Sequence, residues 1–74
     1  MRTSFNSLTL KDKLAFLHLF KDAASDGIEE AGSCLIELDV VVSESELTLI
    51  FKDLGWPDRY IEKLALLAPN HFTL

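Results

Sequence analysis

The stretch Ser43-Glu44-Ser45-Glu46 limits most tightly what this chain can fold into. A serine followed three residues later by glutamate is a capping box: the Ser43 hydroxyl accepts from the Glu46 amide, and the Glu46 carboxylate reaches back to the Ser43 amide. Val42 before the cap and Leu47 after it make a hydrophobic staple that fixes how the chain enters the helix. Leu47, Ile50, Phe51 and Leu54 then repeat at helical spacing. Gly55 suits the left-handed residue just past a helix end, with Trp56 set to pack back on Phe51. A helix over 44–54 is therefore bounded on both sides by local chemistry.

Weaker signals divide the rest. Thr9 is an N-cap with Asp12 in the first turn, and Leu10, Leu14, Leu17 and Ala24 follow at helical spacing. Phe16, Leu19, Phe20 and Ala23 widen that apolar surface beyond one stripe, so a helix over 9–25 sits between other elements or against a second chain. It ends near Gly27, which can take the left-handed conformation. Pro57 opens a last helix at its first position, Tyr60, Ile61, Leu64, Leu67 and Ala68 give it an apolar side, and Pro69 closes it, for a span of 57–68. Residues 1–8 read as an irregular arm and 69–74 as a short tail.

The segment 28–42 fits two templates. Ile28, Ala31, Leu35, Leu38 and Val42 have helical spacing, while Cys34, Ile36, Leu38, Val40 and Val42 alternate with period two. A lone strand lacks a partner among helical neighbours. The expectation is a helix over 28–38 with Val40–Val42 as an extended connector; the variant is a strand over 34–42 paired across a dimer. The whole chain then reads as one all-α domain, a compact bundle of four short helices, with Leu10, Leu14, Leu17, Phe20, Leu35, Leu38, Leu47, Ile50, Phe51, Leu54, Trp56, Ile61 and Leu64 as its core.

Charge is distributed unevenly along that framework. Asp22–Phe51 holds eight carboxylates (Asp22, Asp26, Glu29, Glu30, Glu37, Asp39, Glu44 and Glu46) and no Lys or Arg. Before it, Arg2, Lys11, Lys13 and Lys21 stand against Asp12, a net +3; after it the signs balance, so the formal −5 originates in the middle. Phosphate affinity comes from Lys and Arg, and with seven basic residues against twelve acids direct nucleic-acid binding is disfavoured. A helix-turn-helix over 43–68 is the rival reading. Gly55 stands in its turn with Ile50, Leu54, Ile61 and Leu64 around it. Phe51, however, occupies a place that wants a small residue, and Asp58 and Glu62 would face phosphates.

Chemistry-bearing motifs are scarce. Asp26-Gly27-Ile28-Glu29-Glu30 lacks the alternating ligands of a calcium loop. His18 and Asp22 lie one helical turn apart but form a single pair, and Cys34 and His71 stand alone, so no metal or cofactor is expected. No spacing joins a nucleophile to a base, and no glycine-rich phosphate loop or HExxH occurs, so neither catalysis nor a small-molecule substrate is expected. One cysteine cannot form an internal disulfide, no leader-like apolar run opens the sequence, and none is long enough for a membrane span; these features suit the cytoplasm.

Apolar residues are 49% of the 74, including fourteen Leu, more than a domain this size usually hides. The expected role is a small acidic regulatory or inhibitory protein that occupies a partner surface, including that of a basic nucleic-acid-binding protein, and that associates with itself as a homodimer. The candidate contacts are Glu29, Glu30, Glu37 and Asp39, with Phe16 and Leu19 as surplus apolar residues of the first helix.

Overall fold

A computed structural model describes residues 2–74; Met1, the first residue of the expected arm, lies outside the described residues. Along the chain come β1 (Thr3–Ser4), a 3-10 turn (Phe5–Ser7), α1 (Leu10–Ala24), α2 (Ile28–Leu38), β2 (Val40–Ser43), α3 (Glu44–Leu54), α4 (Arg59–Leu67), a 3-10 turn (Pro69–His71) and β3 (Phe72–Thr73). The fold is mostly helical, with the four helices expected. It is not purely α, because three short strands form a parallel sheet in the order β1-β2-β3.

The helix ends follow the local chemistry closely. Thr9 accepts from the Asp12 amide at 3.1 Å. Both halves of the capping box form, Glu46 amide to Ser43 Oγ at 3.2 Å and Ser43 amide to Glu46 Oε1 at 2.8 Å. Gly55 is left-handed (φ 76°), the Trp56 amide reaches the Phe51 carbonyl at 2.9 Å, and the two rings meet edge-on at 5.2 Å. Two ends differ. Gly27 adopts φ 126° and ψ 170°, an extended conformation open to glycine, and serves as the N-cap of α2. Pro57 precedes α4 instead of opening it: its carbonyl and that of Asp58 accept from Tyr60 and Ile61 at 3.0 Å in a tight first turn.

The extended connector is the central strand. Thr3 aligns with Val40 and Ser4 with Val41 on one side of β2, and Val42 aligns with Phe72 and Ser43 with Thr73 on the other. Val40–Val42 is extended and joins α2 to α3 as expected, but it is a paired strand and not a bare connector; the 34–42 strand across a dimer does not hold, because residues 34–38 are helical and β2 finds both partners within the chain. The supposed arm and tail are those partners. Each parallel neighbour is reached by a two-helix crossover, which parallel pairing requires. Val40 and Val42 are buried, as suits a strand covered by helices, and β-branched side chains favour that pleat.

Around β2 the core gathers Phe16, Phe20 and Ala24 of α1, Ala31 and Leu35 of α2, Leu47, Ile50 and Phe51 of α3, and Ile61, Leu64 and Ala68 from the last helix and its end. Leu10, Leu14 and Leu38, expected inside, are exposed, Leu10 to 74%. On α1 two stripes compete, Leu10–Leu14–Leu17 and Phe16–Phe20–Ala24. The aromatic stripe wins because rings bury more area; Phe5, Phe16 and Phe20 line up with centroids 5.4 and 5.7 Å apart.

Candidate functional site

Two helical stripes face each other across a groove between α1 and α2. From α1 and the turn after it come Leu19, Asp22, Ala23 and Asp26; from α2 come Glu30, Ser33, Cys34, Glu37 and Leu38. On each helix these positions recur at three, four and seven residues, the spacing that keeps side chains on one side. The groove encloses about 270 Å³. Four of its lining residues are carboxylates and none is Lys or Arg. Among the described residues no ion pair neutralises Asp22, Asp26, Glu30 or Glu37; the nearest lysine in sequence, Lys21, pairs with Asp53 of α3 instead. Leu19 and Leu38 are exposed at its apolar margins.

Three expected contact residues therefore come together here: Leu19, Glu30 and Glu37. Three do not. Glu29 is exposed but lies outside the groove lining. Phe16 is 4% exposed and belongs to the core, so it is not a surplus surface residue. Asp39 is half-buried and left-handed (φ 54°) at the end of α2. Its carboxylate accepts from His71 Nε2 at 2.7 Å, and its carbonyl accepts from the Thr3 amide at 2.9 Å. The His71 hydrogen bond holds the Asp39 carboxyl below its ordinary range. Asp39 thus ties both ends of the chain to its middle. Nothing in the sequence joins residues 32 positions apart; the only available signal is that Asp tolerates the left-handed conformation after a helix.

Cys34 lines the acidic groove half-buried. Burial, and then the negative charge of Glu37, push its thiol up from the usual value. A thiol so placed stays protonated at neutral pH and is a poor nucleophile. His18 and Asp22 are both exposed, and no group of three His, Cys, Asp or Glu able to hold a metal occurs among the described residues.

The α3–α4 pair keeps the outline of the helix-turn-helix reading, with Gly55 in the turn. The two cations of α4, however, lie against the protein's own aromatic ladder. Arg59 and Lys63 sit over the Tyr60 ring at 5.7 and 5.1 Å, Tyr60 meets Trp56 at 5.5 Å, and Trp56 meets Phe51. No helix among the described residues is long and apolar enough to cross a membrane. The chain matches no protein-family model, no curated protein and no solved structure.

Proposed function

We propose that this protein acts without catalysis, as a regulatory or inhibitory subunit whose α1–α2 groove takes a basic segment of another protein. The observation that carries the reading is the groove's composition: Asp22, Asp26, Glu30 and Glu37 with apolar margins at Leu19 and Leu38, and no cation between them. Four like charges on one concavity repel each other, and an entering Lys or Arg relieves that repulsion. The apolar margins supply contact for the stem of such a side chain, which is itself hydrocarbon. A basic nucleic-acid-binding protein is one partner with that chemistry, and occupancy of its cationic surface would compete with its ligand. The half-buried, protonated Cys34 suits a reducing compartment such as the cytoplasm.

Self-association belongs to the same reading. Leu10 and Leu14 are exposed one turn apart on α1, and Leu66 and Leu74 are exposed at a groove beside α4; contiguous apolar patches mark interaction sites.

Glu29 supplies an internal control, because it is an equally charged neighbour outside the groove. With the wild-type chain as bait and mass spectrometry as readout, the captured basic protein is expected to associate more slowly with the Glu30→Gln/Glu37→Gln variant. Glu29→Gln should leave the on-rate near wild type. The difference should fade between about 0.05 and about 0.5 M salt, as screening shortens the reach of charge. Equal on-rates for all three proteins at low salt would refute the groove as the steering surface.

A further inference from the structure

A second, more apolar groove of about 690 Å³ runs between α3 and α4 and ends at β3. Its base is Ile61, Ala65 and Phe72, and its lips are Leu66, 82% exposed, and Leu74, 98% exposed. Glu44, Asp58 and Glu62 stand along it against a single cation, Arg59, which leans over Tyr60. The rim therefore carries a net −2 from three carboxylates and one guanidinium. From Asp58 to Leu66 the groove follows eight residues of chain, roughly 12 Å at helical rise. An occupying helix with apolar anchors at i, i+4 and i+7 covers about 10.5 Å. The fitting ligand is thus a short amphipathic helix with lysines beside its apolar stripe. A strand added to β3 fits less well, because β3 offers only two residues.

The chain itself carries such a helix. Leu10, Leu14 and Leu17 recur at i, i+4 and i+7 on α1; the first two are 74% and 60% exposed, and Leu17 is partly buried with one side packed on the chain's own core. Lys13, whose ammonium lies over the Phe5 ring at 5.8 Å, and Lys11 fall on either side of that stripe when the residues are placed at 100° steps. Residues 2–21 carry four cations against Asp12, whereas the groove rim is acidic. We propose that the protein forms a homodimer in which the Leu10–Leu14–Leu17 stripe of each copy lies in the α3–α4 groove of the other. This rests on the self-association reading and names the surfaces that meet. Reciprocal docking closes the assembly, because each copy gives one stripe and one groove; one-way docking would leave a free stripe at one end and propagate. It also engages two sites per chain. A stable interface takes roughly 800 Å² from each partner, a sixth of this chain's 4839 Å², which one groove of this length would not provide.

The test is the mass in solution of the full chain, by sedimentation equilibrium, with circular dichroism to confirm that every variant stays helical. Wild type should move from 8.3 kDa towards twice that mass as concentration rises. Leu14→Glu and Leu66→Glu, both at exposed sites, should each weaken dimerisation by about tenfold or more. The charge reversals Lys11→Glu/Lys13→Glu and Glu44→Lys/Glu62→Lys should each be monomeric alone. Mixed in equal amounts, they should form a heterodimer, since both stripe–groove contacts are then restored to opposite sign. A wild type that stays at 8.3 kDa near millimolar concentration would overturn self-association altogether. A dimer that survives both leucine variants, or charge reversals that fail to rescue each other, would overturn this interface while leaving self-association standing. Glu30→Gln/Glu37→Gln should not change the mass, which separates this interface from the α1–α2 groove.

Discussion

Gly32 faces α4 at close range, and replacing it tests the helix packing directly. A Cβ at that position would lie 3.1 Å from the Cβ of Leu67, with Leu64 Cδ1 and Leu67 Cδ1 at 3.6 Å. Carbon atoms attract best at about 3.5–4.0 Å, so the added methyl is short of room by roughly 0.4–0.9 Å against an atom fixed to the backbone. The two leucine tips can rotate away; the Leu67 Cβ moves only if the helices separate. Overpacking of this kind costs about 1–3 kcal/mol. Against it stands the gain from replacing glycine by alanine inside a helix, about 0.8–1.0 kcal/mol. Gly32→Ala should therefore destabilise by about 1 kcal/mol net, and Gly32→Val, with two further methyls and less helical gain, by more than about 2 kcal/mol.

Urea unfolding followed by the fluorescence of Trp56, the sole tryptophan, reads the change as a lower midpoint with an unchanged slope. In thermal unfolding it corresponds to a Tm lower by about 4–8 °C. The background decides the cause. In Leu67→Ala the Cβ remains, so Gly32→Ala should still destabilise. In Leu67→Gly it is gone, and Gly32→Ala should there stabilise by about 0.8–1.0 kcal/mol. A stabilising Gly32→Ala in the wild-type background would refute the close approach and with it the α2–α4 packing.

Ser43→Ala removes the side-chain half of the capping box and should cost about 1 kcal/mol, measured by the same urea titration; no loss would mean that the box is not what starts α3. Asp39 links stability to pH. Its folded value lies below the ordinary one, so its contribution is complete above about pH 5 and is lost as pH falls through the ordinary carboxylate value near 3.9 to the lowered folded value. Asp39→Asn, which keeps a residue tolerant of the left-handed conformation, should flatten that acid-side decline in the urea midpoint. A decline as steep as in wild type would assign the acid sensitivity to other carboxylates.

What could be read along the chain was what neighbours in sequence decide. Ser43 and Glu46 meet because they are three residues apart, and Phe51 meets Trp56 because Gly55 turns the chain; α2 and α3 accordingly span 28–38 and 44–54 as expected. The sheet was hidden because its outer strands have two residues each, too few for a period-two pattern to show, and because both partners of Val40–Ser43 lie at distant ends of the sequence. The orientation of α1 was hidden for another reason. Leu10–Leu14–Leu17 and Phe16–Phe20–Ala24 are equally good stripes, and only the packing of the Phe5, Phe16 and Phe20 rings on one another selects the second. Gly32 gave no signal because a glycine inside a helix looks the same whether it admits a neighbour or not. The acidic groove was half legible: the run of carboxylates was plain, but which of them share one concavity depends on how α1 crosses α2.

The same geometry explains why so leucine-rich a chain is not simply a failed core. Phe20, Leu35, Val42, Leu47, Phe51 and Leu64 are fully buried, each stabilising by about 1.5–3 kcal/mol, and they come from both crossovers and the strand between them. Once α1 turns its phenyl rings inward, its two other sides are free for different uses. Leu19, Asp22 and Ala23 go to the acidic groove, while Leu10 and Leu14 with their lysines stay outside as a separate stripe. α2 is divided the same way. Ala31, Gly32 and Leu35 press inward, and Glu30, Cys34 and Glu37 line the groove, with the Asp39–His71 hydrogen bond fastening its end. Only Glu29 and Ile36 of α2 are exposed outside both. The packing that stabilises the chain and the acidic groove between α1 and α2 are therefore set by the same rotation of the same two helices, and a substitution that turns α1 towards its leucine stripe would dismantle both together.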